Sequence, residues 1–415
     1  MLCRIHGGAT QVGGSCVELQ ARTGGRIILD LGLPLDAQRD EVPLPDVPGL
    51  QAGGDPSLLG VVLSHGHPDH YGLIESTSID VPIWAGEGAS AILREAAFFS
   101  GMGMDRPIRA YLRDRSVLKV GPFKITPYLV DHSAFDAYAL LVEADSRRLF
   151  YSGDLRGHGR KSSLFERLVK EPPRDIDVAL VEGTSIGREG GSPTLGSETE
   201  VEEATVRAIR ETPGMVLAAY SPQNVDRLVS VYRATARAKR NLVLDLYAAA
   251  VAAATGSSSI PQADWDRVRV YVPNSQRVRV KQSGEFQRVD DLGSARIFRE
   301  ELAEDPGRWV MSFRGSMLPE LKWDSFLVEA RALWMMWPGY LERESGRSLG
   351  LELERLGIAL EVIHASGHAS LVDLQRFVAA LDARRVVPIH TDAPERYHEF
   401  FEKVEMHVND DWWEV

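Results

Sequence analysis

Cysteine is nearly absent from this sequence: only Cys3 and Cys16 occur in 415 residues. Neither belongs to a Cys-x-x-Cys pair. So sparse a set excludes a disulfide-stapled fold and fits a reducing compartment. Long apolar runs are missing too. No stretch of about 18 apolar residues occurs, so no membrane-spanning helix is expected. The opening Met1-Leu2-Cys3-Arg4-Ile5-His6-Gly7-Gly8 is broken at once by charge and glycine, unlike a secretory leader. Together these absences point to the cytoplasm and to no membrane partner. Positive charge is not in excess either: 47 Lys and Arg stand against 59 Asp and Glu, a net charge of −12. That excludes a protein coating nucleic acid non-specifically. It leaves room for a nucleic-acid enzyme whose positive charge is local and partly supplied by metal ions. No internal repeat and no low-complexity tract is found. What remains is ordinary globular composition, 44% hydrophobic and 26% charged, at a length that suits about two or three domains.

The densest chemistry lies at residues 61–70. Val61-Val62-Leu63 reads as the end of a buried strand. Ser64 then opens a loop holding His65, His67, Asp69 and His70. Gly66 lets the backbone bend, and Pro68 fixes it. His65 and His67 are two apart, so in an extended segment both point the same way. Asp69 and His70 follow the turn and can aim at a second point nearby. One short loop can therefore serve two metal ions, and imidazole with carboxylate suits Zn²⁺ and its neighbours. The competing reading is a polar surface loop. Four ligand types among residues 64–70, directly after a strand, argue against it.

The same pattern recurs along the chain. Strands at 16–19 and 26–29 read as a hairpin closing at Gly24-Gly25 and ending at Asp30. Residues 34–56 read as a surface loop and 88–99 as a helix. A strand at 124–130 leads to Asp131-His132-Ser133. A hairpin of 137–143 and 148–151 delivers Ser152-Gly153-Asp154, whose carboxylate can bridge two ions. A strand at 177–181 ends at Glu182, and the glycine-rich 187–197 reads as a loop or linker. After a strand at 215–220, residues 221–227 open a helix. There Ser221, Asn224 and Arg227 suit a phosphate, although a plain helix cap is an equally good reading. Residues 241–345 read as a further α/β unit, with 273–298 polar and loop-rich. Strands at 359–364 and 385–389 deliver Ser366-Gly367-His368 and His390. Trp412-Trp413 read as packing residues that pin the tail. Ligand types at strand ends converge if those ends share a sheet edge. Six of the eleven histidines belong to this set: His65, His67, His70, His132, His368 and His390.

His65-Gly66-His67-Pro68-Asp69-His70 resembles the HxHxDH motif of the metallo-β-lactamase fold. His132, and Asp154 within Ser152-Gly153-Asp154-Leu155, are similar to that fold's next two metal motifs. Glu182-Gly183-Thr184, Ser366-Gly367-His368-Ala369 and Pro388-Ile389-His390 resemble motifs A, B and C of the β-CASP branch, a set of nucleic-acid-processing nucleases. Within that branch the chain is most similar to ribonuclease J. The resemblance implies an α/β fold: an αββα metallo-β-lactamase sandwich from residues 1–200 and 346–415, with a β-CASP domain inserted at 201–345. It implies two Zn²⁺, with Mn²⁺ or Mg²⁺ as alternatives. His65, His67 and His132 would hold one ion, Asp69, His70 and His390 the other, and Asp154 would bridge. Asp30 and Glu182 would orient ligands. His368 would contact the scissile phosphate, with Ser366 and Gly367 beside it. Ser221, Asn224 and Arg227 would form a pocket for a 5′-terminal monophosphate.

The implied reaction is attack on an RNA phosphodiester by a hydroxide activated by both ions, leaving a 5′-phosphate. Histidine at motif B favours RNA. The implied enzyme is a 5′-to-3′ exonuclease or an endonuclease on single-stranded RNA, acting as a homo-oligomer or with an RNA-processing partner. A DNA or other phosphodiesterase of the same fold, and a non-catalytic RNA-processing subunit, are the alternatives. The chain departs from the family at Pro222-Gln223, at Thr391 in place of glycine, and over 312–316, which follows the glycine-rich segment loosely. It also ends soon after motif C, without the C-terminal domain of many ribonucleases J.

Overall fold

Nineteen strands, numbered in chain order, form three sheets among the described residues, which are 1–188, 195–322 and 325–415 of a computed structural model. The chain divides into two compact units, Met1–Gly191 with Gly367–Val415, and Ser192–Ser366. Most of the glycine-rich stretch read as a loop or linker, residues 189–194, lies outside the described residues.

The first unit holds two sheets. One contains β1 (Leu2–Gly7), β2 (Cys16–Gln20), β3 (Arg26–Leu29), β4 (Leu58–Val62), β5 (Ile83–Gly86), β6 (Ala110–Leu112) and β19 (Trp412–Glu414), in the order β19-β1-β2-β3-β4-β5-β6. The other contains β7 (Leu118–Val120), β8 (Phe123–Leu129), β9 (Tyr138–Ala144), β10 (Arg147–Tyr151), β11 (Val178–Glu182) and β18 (Arg385–Ile389), in the order β18-β11-β10-β9-β8-β7. Strand periodicity of two decides which layer each side chain joins. On β3, Ile27 and Leu29 face the core between the sheets, with Ile125, Leu140, Val142 and Leu149 opposite. Ile28 faces outward and packs with Val61, Ile83 and Leu93 of the helix Glu87–Ser100. The helices Ser162–Lys170 and Leu371–Leu381 cover the second sheet, where Phe165, Leu168, Leu374 and Phe377 meet Phe150 and Ala179. This is the αββα sandwich expected. Trp413 packs against the inter-sheet core as anticipated, whereas Trp412 is exposed at 39%.

Strand direction aligns the ligand-bearing ends. β10, β11 and β18 run parallel, with Tyr151 opposite Leu180 and Glu182 opposite Ile389. β8 and β10 are each antiparallel to β9, so β8 runs the same way as β10. The segments after these four strands therefore leave one edge of the second sheet. β3 and β4 are also parallel, which puts Asp30 and Ser64 at one edge of the first.

The second unit holds β12 (Val216–Ala219), β13 (Asn241–Asp245), β14 (Val268–Tyr271), β15 (Trp309–Ser312), β16 (Arg331–Trp334) and β17 (Ala359–Val362). Their order is β14-β13-β15-β12-β16-β17, and every pair is parallel. Central strands buried on both faces read as unbroken apolar runs, as at Leu242, Val243 and Leu244. Two expectations are corrected. The inserted unit ends at Ser366 and not at 345, because β17 pairs in parallel with β16 and stays in that sheet. Residues 274–283, expected to be loop-rich, form a helix in which only Gln276 and Val280 are buried, so no apolar period announces it.

The third correction concerns the phosphate pocket. Asn224 caps the helix Val225–Arg237, its side chain accepting from the Arg227 N–H at 3.0 Å. Arg227 is 0% exposed, and its guanidinium pairs with Glu198 at 3.0 Å. It also donates to the carbonyls of Met335 and Ala365. Its charge is spent inside the second unit, so it is not an open phosphate ligand. Of the three residues, Ser221 is exposed. Removing one partner of a buried pair strands the other charge. Arg227→Gln is expected to cost about 3–5 kcal/mol, read from urea unfolding. An unchanged midpoint would contradict the structural role.

Candidate metal centre

The loop after β4 turns at Ser64 and enters the short helix Pro68–Tyr71, where proline sits at the first helical position. His65 and His67 precede that helix, and Asp69 and His70 lie within it. His132 follows β8, Asp154 follows β10 and His390 follows β18. Gly153 and His390 both adopt positive φ, at 52°. That bend is free for glycine and strained for histidine.

Three groups of donors result among the described residues. His65, His67, His132 and Asp154 form one, Asp69, His70, Asp154 and His390 a second, and Asp154, Glu182 and His368 a third, with ligand atoms in each group within 4.8 Å of one another. Asp154 belongs to all three. Its Oδ2 lies 3.2 Å from His70 Nε2, 3.6 Å from His65 Nε2, 3.8 Å from His390 Nε2 and 3.9 Å from His132 Nε2. Despite these distances, both Asp154 oxygens and the Nε2 atoms of His65, His70 and His390 are buried without a hydrogen bond. Buried polar atoms of a native protein are almost always satisfied. Divalent cations would satisfy all of these at once, and nitrogen with carboxylate oxygen is the donor set that suits them.

The far nitrogens are anchored, which aims the near ones. His70 Nδ1 donates to Asp30 Oδ2 at 2.7 Å. Asp30 also accepts from the Ser64 N–H and hydroxyl, each at 2.6 Å, and from the Tyr151 hydroxyl at 2.7 Å. The Ser64 proton is thus committed to Asp30, so His65 Nδ1, 3.0 Å from Ser64 Oγ, must be the donor there. Its Nε2 is left free to ligate. His132 Nδ1 donates to the Gly367 carbonyl at 2.6 Å, and His390 Nδ1 meets Ser15 Oγ at 2.9 Å. Such outer partners fix tautomer and ring orientation.

Electrostatics follow the packing. Burial pushes His65 and His132 well below the usual imidazole value and His67 down to about 4. His390 is lowered by burial as well. Burial also opposes charge on His70, yet Asp154 and Asp30 raise it well above the usual value. Burial would raise Asp154, but His390, His70 and His368 hold it well below the carboxylate range. His368 has burial against its charge and Glu182 and Asp154 for it, and the carboxylates raise it to about 9. Its Nδ1 lies 3.3 Å from Glu182 Oε2 and 3.6 Å from Asp154 Oδ2.

Of the residues expected from the sequence, His65, His67, Asp69, His70, His132, Asp154, His390, His368, Glu182 and Asp30 come together within the first unit. Gly367 joins them through its carbonyl. Ser366, Ser221, Asn224 and Arg227 belong to the second unit. Ser15 and Tyr151 were not foreseen. Tyr151 directly precedes Ser152, a signal that was legible. Ser15 lies 375 positions from His390 and has no local signal.

A profile described as the beta-lactamase superfamily domain matches residues 26–217. Ribonuclease J of Sinorhizobium meliloti is 24% identical over 378 residues, covering 84% of this chain and 60% of that protein. The chain thus carries a beta-lactamase superfamily domain over residues 26–217 and is similar to proteins named ribonuclease J. Ribonuclease J of Mycoplasma genitalium is 23% identical over 350 residues, covering 79% of this chain and 56% of that protein. The chain thus spans less than two thirds of these curated relatives. A structure of a protein of unknown function from Enterococcus faecalis V583 superposes with a TM-score of 0.79 at 20% identity, covering 99% of each chain, and bears on the fold alone. No helix among the described residues is long and apolar enough to cross a membrane.

Because Asp154 and Asp30 raise His70 well above the usual imidazole value against the cost of burial, an entering cation is expected to compete with a proton there. Zn²⁺ binding at pH 7 is therefore expected to release roughly one proton or more per chain, with affinity rising as pH rises and falling as it drops. Calorimetry in two buffers of different ionisation enthalpy measures this. A binding heat independent of buffer would contradict the assignment.

Proposed function

We propose that the chain is a two-metal ribonuclease. It hydrolyses phosphodiester bonds of single-stranded RNA and leaves 5′-phosphates, working from the 5′ end. The observation that carries this is the pair of four-residue donor groups meeting at Asp154. The relatives named ribonuclease J support RNA as the substrate. Zn²⁺ suits the donors best, with Mn²⁺ or Mg²⁺ as alternatives.

His65, His67 and His132 would hold one ion, Asp69, His70 and His390 the other, and Asp154 both. When bound, the ions would lower the pKa of water to about 7 and withdraw charge from the phosphate oxygens. His368, which Glu182 and Asp154 raise to about 9 against the cost of burial, faces Asp154 and is well placed to hydrogen-bond a phosphate oxygen. The proton it carries can pass to the departing 3′-oxygen. Glu182 keeps that ring in place. Its Oε1 accepts from the Leu155 and Ala369 N–H groups at 3.3 and 3.5 Å, and its Oε2 faces the imidazole. Asp30 performs the same service for His70. With Arg227 sequestered, recognition of a 5′-phosphate must use other groups than that guanidinium.

The test uses 5′-monophosphate and 5′-triphosphate copies of one RNA, with matched DNA and zinc- or manganese-loaded protein. The monophosphate RNA is expected to be degraded to mononucleotides and DNA to survive. His67→Ala should abolish cleavage, and His368→Ala should slow it by about 10²–10⁴-fold. No cleavage of any strand by loaded protein, or DNA cut as fast as RNA, would defeat the reading.

A further inference from the structure

Between Asp154 and the helix Ser162–Lys170 runs Leu155-Arg156-Gly157-His158-Gly159-Arg160-Lys161. Apart from the Leu155 N–H on Glu182, the chemistry of the centre does not draw on this basic, glycine-rich turn. It is fastened to the Asp131-His132 pair at several points. The Arg156 N–H donates to the Asp131 carbonyl at 2.7 Å, and Arg156 Nε donates to Asp131 Oδ1 at 3.4 Å. The Gly159 N–H donates to Asp131 Oδ2 at 2.7 Å, and Lys161 Nζ donates to the His132 carbonyl at 3.0 Å. Arg156 and Asp131 are both 0% exposed. Gly159 lies so close that a Cβ there would stand 2.2 Å from Asp131 Oδ1 and 2.5 Å from Arg156 Nε.

A buried ion pair contributes little net stability, because desolvation offsets most of its attraction. What this pair does contribute is a fixed separation between two loops, since neither charge tolerates losing the other. Those loops carry His132 and Asp154. The far nitrogens of His70 and His390 rest instead on Asp30 and Ser15.

We propose that Arg156 is a positioning residue. Paired with Asp131, it sets the distance between His132 and Asp154, and so tunes the ion site of His65, His67 and His132 independently of the site of Asp69, His70 and His390. Asp154 serves both sites, but only the first includes a second residue from the loops that the turn ties together. The inference rests on the two-ion reading of the centre and not on the identity of the substrate.

The test titrates the metal-depleted 415-residue chain with Zn²⁺ against a competing chelator, counts bound zinc by mass spectrometry and records the apo melting temperature. Arg156→Gln removes the guanidinium. Gly159→Ala strains the pair while keeping both charges, and carries the test if the first variant does not fold. In each, the zinc affinity that His67→Ala removes is expected to fall by about 10–100-fold while the one that His390→Ala removes holds, and Arg156→Lys should recover part of the loss; a fall at the His390 site alone would overturn the proposal. Two affinities as in the wild type would overturn the proposal. So would a joint fall of both in step with the melting temperature, which marks a structural brace alone. Wild-type protein that binds fewer than two ions removes the ground for it. Wild-type protein that binds two ions yet cleaves no RNA defeats the ribonuclease reading and leaves this one standing.

Discussion

A carboxylate without a hydrogen bond, buried among imidazoles, is the constraint on which the rest of the centre depends. Asp154 is 1% exposed, and neither of its oxygens is satisfied by the protein. An isolated carboxylate in such a place is heavily penalised. Here five imidazole nitrogens approach its Oδ2 within 3.9 Å. Cations seated between them would convert a desolvated, crowded cluster into two complete coordination shells. That is why so many outer contacts exist only to aim rings: Asp30 on His70, Ser64 on His65, Gly367 on His132, Ser15 on His390.

The sandwich makes this convergence possible. Parallel and doubly antiparallel relationships bring the ends of β8, β10, β11 and β18 to one edge. Each ligand loop then needs only a few residues to reach the centre. The apolar inter-sheet core fixes the strands, and the strands fix the loops. His390 accepts a strained backbone in this arrangement, tied by its N–H to the Gly8 carbonyl at 2.7 Å.

Much of this was legible in sequence because the chemistry is local. Two histidines and an Asp-His pair within six residues declare a metal loop, and apolar runs before His132, Asp154, Glu182 and His390 declare strand ends. Long-range contacts were not legible. Asn224 and Arg227 have the spacing of a phosphate-binding helix start, but Glu198, 29 positions upstream, captures the guanidinium. Ser15 carries no mark of its bond to His390. The helix at 274–283 is polar almost all round, so periodicity is silent there. The limit at 345 was misplaced because only the pairing of β17 with β16 shows where that sheet ends.

A two-metal centre of this kind requires two cations sharing Asp154. Crystals of zinc-loaded protein, measured on both sides of the zinc absorption edge, locate bound zinc directly. Two anomalous peaks flanking the Asp154 carboxylate are predicted, each at about 2.0–2.1 Å from its histidine nitrogens. A single peak that does not touch Asp154, or none in protein soaked to saturation, would contradict it.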